Sequence, residues 1–483
     1  MDYLFGPLNP WWENANWDTE RYERRELPDI MRLLDLKNIK KPRAPILIGP
    51  RRVGKTTLMY QVVRSFLKEI PASNILYYSF ERADPELQHN PNALSEIVSR
   101  WGNKEYDQKK PRLLLLDEIQ NVKDWDGRMK TILEATFQAP LLIVMTGSSS
   151  FDLLGKSLQT LHGVTRRIFI PPFSLVDFWL MQYPKDIHLV EKTERWRKLW
   201  LRTASGSFGT TVHVETTKDA MWKKALELQN KWLSKGGFPE FWSDTPQQAA
   251  SELFDFYVRR VAQDDILGIK GISQSTEAAR FLKYCYFHPG GELNITTASQ
   301  ELGIPRSTLD VMLDLFMHAG YIRVISKYSG NTALLRQRHV KIYPIDHGLI
   351  PKKIRQDQSV PNGIAIETMA VNIFSRIEEA EIYFFRKKTG REIKEIDFVV
   401  KVGLRLIAVE VKRRVTRSDI EKFRTTVAEL LPKATNRILL CWDTDEGGLI
   451  QDNRGADDSE HIEIQPLWRL ALGLPTSLLM EGE

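Results

Sequence analysis

Short, largely apolar runs recur along the first third of the chain, each bounded by polar or turn-forming residues. Ala44-Pro-Ile-Leu-Ile48, residues 75–80, residues 112–117, Leu141-Leu-Ile-Val-Met145 leading to Thr146, and residues 166–170 are all of strand length and are separated by helical patterns. Strands apolar at every position are covered on both faces, so this alternation predicts a doubly wound parallel α/β sheet spanning residues 42–173.

Beyond it the pattern changes. Residues 174–240 are helical, charged and rich in tryptophan (Trp179, Trp196, Trp200, Trp222, Trp232), broken at 204–211, and read as a helical lid or connector. In the next section, 241–345, a helix over Thr297–Leu302 meets a turn at Gly303-Ile-Pro-Arg306. A second helix from Ser307 carries Leu309, Met312, Leu313 and Phe316 and stops before Gly320, and Tyr321 to Asn331 supply a strand and its tip. This predicts a winged helix-turn-helix, with Arg306, Ser307 and Thr308 facing DNA bases and Arg323, Lys327 and Arg336 facing phosphate. Asp310 and Asp314 share the second helix, which keeps protein docking open as the alternative.

In the last section, 346–483, two β-branched runs flank Gly403-Leu404, a pair suited to a type II′ hairpin. Paired positions then sum to 807, which sets Asp397 opposite Glu410 with Lys412 on the same face. Facing carboxylates destabilise a hairpin unless a cation joins them, and Cβ atoms about 5 Å apart suit one divalent ion, Mg²⁺ or Mn²⁺. Such an ion would activate water at a scissile phosphate, with Lys412 stabilising the developing charge. The competing arrangement pairs Lys412 with Glu395 and leaves Asp397 and Glu410 partly solvated.

The chemistry of the first section is more specific. Gly49-Pro-Arg-Arg-Val-Gly-Lys-Thr56 is an intact GxxxxGK[ST] loop between the first strand and a helix opening at Thr57. Gly49 and Gly54 let backbone N–H groups turn toward phosphates, Lys55 reaches the β- and γ-phosphates, and Thr56 ligates Mg²⁺. The run Leu113-Leu-Leu-Leu116 ends in Asp117, expected to hold the same ion, and Glu118, expected to polarise the attacking water. Thr146 and Ser148, at the end of the fourth strand, are both candidates to sense the γ-phosphate.

Length and composition add bounds. At 483 residues the chain has room for about three domains, and its net charge of +6 permits nucleic acid without requiring it. Cys285 and Cys441, the only cysteines, suit neither a disulfide framework nor zinc, which fits a reducing cytoplasm. The acidic, tryptophan-rich first 41 residues lack signal-peptide character, and no apolar stretch is long enough to span a membrane. Trp11, Trp12 and Trp17 are expected to pack on the chain's own ATPase core rather than on a partner.

Asp397 with Glu410-Val-Lys412 resembles the core of the PD-(D/E)xK nuclease fold of archaeal Holliday-junction resolvases and restriction enzymes, and Glu367 matches its upstream helical acid. More closely, GPRRVGKTTL, LLLLDEIQNVKDW, VMTGSSS, PPFSLVDFW, GGFPEFW, KIYPIDHGL, EIDFVV and AVEVK are similar to a prokaryotic family of AAA+ ATPases with a C-terminal PD-(D/E)xK-like domain. The resemblance covers residues 45 to about 415 and implies ATP and Mg²⁺ use, a cytoplasmic location and a winged helix between two catalytic modules. It also implies a homo-oligomer, a ring or another assembly, in which Arg166 and Arg167 approach a neighbour's ATP. Here Gly163 is followed by Val164 and Thr165 rather than directly by arginine, so the arginine finger stays unassigned. The expected activity is ATP-dependent processing of branched or foreign DNA. The alternatives are a DNA motor that does not cut, and a nucleotide-controlled regulatory switch.

Overall fold

The computed structural model describes residues 6–14, 16–19, 22–34, 44–81, 87, 90, 92–102, 107, 109–122, 124–134, 140–147, 165–184, 220–261, 275–329, 340–357, 360–377, 380–389, 392–442 and 462–473. Ser148 and Arg336 lie outside the described residues. The chain divides into two compact units, Met1–Pro171 with His318–Gly320, and Pro172–Met317 with Tyr321–Glu483.

In the first unit, α1 (Leu27–Leu33), β1 (Ala44–Ile48), α2 (Lys55–Phe66), β2 (Ile75–Ser79), α3 (Ala93–Gly102), β3 (Arg112–Asp117), α4 (Trp125–Glu134), β4 (Leu141–Gly147) and β5 (Thr165–Phe169) follow in order. All five expected strands form and pair in parallel as β2-β3-β4-β1-β5. Every position of β1 to β4 is buried, as their unbroken apolar runs require. Alternation sends Leu114, Leu116, Ile143 and Met145 into a core with Leu94, Ile97 and Trp101 of α3 and Trp125 and Met129 of α4. Leu113 and Leu115 point to the opposite face. The register sets Ile48 beside Gly147 and Ser79 beside Asp117, so the loop after β1 and the exits of β3 and β4 share one edge. The N-terminal tryptophans pack on this unit as expected: Trp11 is buried, its ring 5.1 Å from that of Trp17, which lies 5.9 Å from Tyr60 on α2.

The second unit contains α5 (Leu175–Gln182), α6 (Ala220–Lys235), α7 (Pro246–Asp255), α8 (Ser275–Phe287), β6 (Glu292–Leu293), α9 (Ile295–Leu302), α10 (Arg306–His318), β7 (Ile322–Lys327) and β8 (Val340–Pro344). There follow β9 (Gln356–Asp357), β10 (Val360–Pro361), α11 (Gly363–Phe374), β11 (Ala380–Thr389), β12 (Glu392–Val402), β13 (Arg405–Lys412), α12 (Arg417–Leu430), β14 (Asn436–Cys441), β15 (Ile462–Pro466) and α13 (Leu467–Gly473). Two expectations are corrected. The helices read as a lid, α5 and α6, belong to this unit, where Phe178 stacks on Trp242 with ring centroids 3.6 Å apart. The boundary expected at 345/346 is also absent, because one eight-stranded sheet, β15-β14-β13-β12-β11-β7-β8-β6, runs across it. β7 pairs with β11 in parallel at Ser326↔Tyr383 and Lys327↔Phe384, which satisfies a strand edge that would otherwise be open.

Within this sheet the hairpin has the predicted register, from Val402↔Arg405 to Phe398↔Val409, turning at Gly403 with φ 59°. Val399, Ala408, Leu439 and Ile464 pack on Ile420, Phe423 and Val427 of α12. α11 is buried almost all round, from Ala365 and Ile366 to Ile373 and Phe374, the pattern of a helix enclosed by core.

Candidate functional site

At the open edge of the first sheet, Gly49 has φ 150°, and a Cβ there would lie 2.3 Å from the Ile170 carbonyl oxygen. Only glycine fits that approach. Gly54, at φ 94°, caps α2 in the left-handed region and leaves Lys55, Thr56 and Thr57 in the first turn, whose N–H groups form an anion-binding terminus. Lys55 is 5% exposed, and its ammonium donates to the Gly49 and Pro50 carbonyls at 2.9 and 3.0 Å. Asp117 Oδ2 accepts hydroxyl bonds from Thr56 and Tyr77, both at 2.8 Å, and Oδ1 accepts one from Thr146. Thr146 Oγ1 in turn accepts the Glu118 N–H at 3.0 Å. Glu118 itself sits at φ 55°, an uncommon setting for a side chain of its size, just past the strand exit. Burial, then the charge of Asp117 and the neighbouring Tyr60, push the Tyr77 phenol far above its ordinary range, so it donates as a neutral hydroxyl. A strand-end carboxylate and a helix-start hydroxyl in direct contact form a hard oxygen pair suited to Mg²⁺.

The second unit assembles a different cluster. Beyond the last paired residues of the hairpin, Asp397 Oδ2 accepts the Val411 N–H at 2.8 Å. Glu410 Oε1 accepts from the Lys412 ammonium at 2.7 Å, whereas Glu410 Oε2 is buried with no hydrogen-bond partner. Lys412 therefore pairs with Glu410, and Glu395 is held instead by Lys341 and by Arg386 at 3.5 Å. From the enclosed helix α11, Glu367 Oε2 accepts the Tyr343 hydroxyl at 3.1 Å. Burial, reinforced by Glu410 and Glu367, holds the Asp397 carboxyl well above the usual range. Burial likewise raises Glu367, opposed by Lys341 and the Tyr343 bond. For both lysines burial favours the neutral form, but the carboxylates outweigh it and raise Lys341 and Lys412. Among the described residues no group of three or more His, Cys, Asp or Glu side chains is disposed to hold a metal ion, so an ion here would rest on Asp397 and the unpartnered Glu410 oxygen.

Residues 41–179 match the family described as AAA domain. Over this segment the chain is similar to AAA domains. Residues 226–359 and 362–452 match two families described as Domain of unknown function (DUF8612) and Domain of unknown function (DUF4143). A Methanocaldococcus jannaschii protein named Uncharacterized protein MJ1637 is 24% identical over 327 residues, 65% of this chain and 59% of that one. The chain thus spans less than two thirds of that relative. Among solved structures, the Thermotoga maritima RuvB Holliday junction branch migration motor is 17% identical over 66% of this chain and 90% of its own, with a TM-score of 0.30. The Aeropyrum pernix Orc1 protein in complex with DNA is 12% identical over 70% and 93%, with a TM-score of 0.29. Likeness at these TM-scores carries no argument about function. No helix among the described residues is long and apolar enough to cross a membrane.

At the open edge of the first sheet, Thr56, Asp117, Thr146 and the Glu118 backbone join in one hydrogen-bond network beside Lys55. Arg166 and Arg167 instead pair with Pro45 and Ile46, about 7–10 Å back along the strands from the Ile48 exit. Their expected approach to a neighbour's ATP concerns a second subunit, and strand register is invisible to local pattern. Arg323 is corrected: it donates to Asn372 at 2.7 Å, and burial beside Arg376 pulls its pKa down to about 9, an internal tie rather than a phosphate contact. Arg306 and Ser307 are exposed at the start of α10, with Arg306 lying 3.8 Å from Asp310, and Lys327 is half-buried on β7.

Sequence reasoning missed Lys341 and Tyr343, whose i, i+2 spacing on β8 directs both to the acidic cluster. A lone lysine inside a buried strand was the available signal. The GGFPEFW and KIYPIDHGL stretches meet as a structural latch: Asp346 accepts N–H groups of Gly237 at 2.9 Å and Gly348 at 2.8 Å.

Proposed function

We propose that this chain is an ATP-dependent DNA-processing enzyme in which turnover by the AAA domain moves or gates DNA for a metal-dependent nuclease-like second unit. The observation that carries the reading is the convergence of Glu367, Asp397, Glu410 and Lys412, from a helix and two strands, on one half-buried cluster. At the ATPase edge, Lys55 holds the terminal phosphates and Glu118 takes a proton from the attacking water. Thr56 and Asp117 would hold Mg²⁺, which would supply charge neutralisation at the phosphates. Thr146, bonded to both Asp117 and the Glu118 backbone, relays γ-phosphate occupancy to the two acids.

In the second unit Asp397 and Glu410 would hold Mg²⁺ or Mn²⁺, which would supply Lewis acidity at a scissile phosphate. Lys412 neutralises the charge that develops, and Glu367 orients the site. Helices α9 and α10 with the β7–β8 hairpin act as a winged helix on the DNA. Branched or foreign DNA is the substrate, and the working form is a cytoplasmic homo-oligomer in which Arg166 or Arg167 reaches the next subunit's nucleotide.

One observation favours a second reading, a DNA motor that does not cut: Lys341 places an internal cation among Glu367, Glu395 and Asp397. Linear, single-stranded and four-way-junction DNA incubated with the protein, with and without ATP and Mg²⁺ or Mn²⁺, separates them. Metal-dependent cleavage supports the nuclease. Tight binding or ATP-driven strand movement with no cleavage in any metal supports the motor.

A further inference from the structure

The geometry points to Tyr77 as a positioning residue of the nucleotide site, set by an N-terminal strap that completes the open edge of the ATPase sheet through Asn9. The inference rests on the ATPase reading of that edge. β2 is the outermost strand, and its outward backbone groups would otherwise be unpaired. Asn9, fully buried, supplies the missing partner with one side chain: Nδ2 donates to the Tyr77 carbonyl at 3.0 Å, and Oδ1 accepts the Tyr77 N–H at 2.7 Å. Two residues earlier, the Ile75 carbonyl accepts both indole N–H groups, Trp11 at 3.3 Å and Trp12 at 2.9 Å. The strap thus fixes the strand at Tyr77 and two residues before it.

The side chain is fixed as well. Its ring lies 5.0 Å from Tyr60, which lies 5.9 Å from Trp17 and 6.2 Å from Trp11. The hydroxyl ends on Asp117 Oδ2, the same oxygen that accepts from Thr56. Packing alone needs only the ring. The hydroxyl, in contrast, orients a carboxylate whose task is to hold an ion, and such supporting bonds commonly set metal affinity.

Tyr77→Phe removes the oxygen and keeps the ring, and Asn9→Ala loosens the strap while leaving the Tyr77 hydroxyl and Asp117 in place. For Tyr77→Phe, the Mg²⁺ concentration giving half-maximal ATP hydrolysis should rise about tenfold, with the KM for ATP at saturating Mg²⁺ within about twofold of the parent. Asn9→Ala should shift the same Mg²⁺ midpoint in the same direction and by less. The Mg²⁺ dependence of binding a fluorescent ATP analogue is measured alongside, because it needs no turnover. A parent protein that binds the analogue without hydrolysing ATP would reject the ATPase reading and still leave the Mg²⁺ midpoint to test Tyr77. Unchanged Mg²⁺ midpoints in Tyr77→Phe overturn the inference, as does a loss in Asn9→Ala that lowers activity at all Mg²⁺ concentrations alike.

Discussion

Two aspartates, Asp117 at the exit of β3 and Asp397 midway along β12, are treated in opposite ways. Asp117 receives hydroxyl hydrogen bonds on both oxygens from Thr56, Tyr77 and Thr146. Asp397 receives one backbone N–H and faces Glu410 and Glu367, which with burial hold it in the protonated direction. The first carboxylate is oriented in advance by neutral donors. The second carries unrelieved repulsion, and Lys341 and Lys412 offset only part of it. Buried like charges are costly to a fold unless something binds there, so the contrast separates a site held ready by hydrogen bonds from one left with unrelieved like charge.

The largest effects should come from removing the chemical groups themselves. Lys55→Ala should abolish nucleotide binding, whereas Glu118→Gln should keep it and lower turnover by about two orders of magnitude or more. Glutamine-variant turnover equal to the parent's would remove Glu118 from the mechanism. In the second unit, Asp397→Ala, Glu410→Ala and Lys412→Ala should each eliminate metal-dependent DNA cleavage and spare ATP hydrolysis, with Glu367→Ala weakening cleavage. Equal loss of both activities would mean that the two sites are not chemically separate.

A smaller effect sharpens the comparison through stability. Because the folded-state pKa of Asp397 is raised, the folded chain holds its proton more tightly than the unfolded chain does. That stability is fully present below the ordinary carboxylate range and is lost as pH rises toward the folded value. Asp397→Asn should therefore stabilise the protein at pH 8 in chelator by about 1 kcal/mol, with the gain disappearing near pH 4. Asp117→Asn should instead destabilise by about 1 kcal/mol, since an amide cannot accept all three hydroxyl bonds. Urea midpoints at the two pH values measure both, and matching responses would dissolve the distinction.

Legibility in the sequence followed the range of the interactions. β1 to β4 of the first sheet were readable because each is a local, mostly apolar run, and the hairpin register leading to Asp397 and Glu410 because Gly403 fixes its turn. Pairings between distant segments left no local trace. Nothing near residue 326 announces that β7 joins β11, and nothing near residue 166 gives its register against β1. The pairing of the N-terminal strap with β2 was likewise hidden, although its tryptophans suggested packing. Lys341 and Tyr343 enter the acidic cluster through the sheet linking β8 to β12, so they became visible only with the fold.

The central claim, that a divalent cation completes the Asp397 cluster, is tested most directly by thermal unfolding against Mn²⁺ concentration without nucleotide, in a Lys55→Ala background. The account predicts a midpoint that climbs with Mn²⁺ as binding to the folded state requires, and that stays flat when Asp397→Asn or Glu410→Gln is added. An equal climb with and without those carboxylates, or no climb at all, would contradict it.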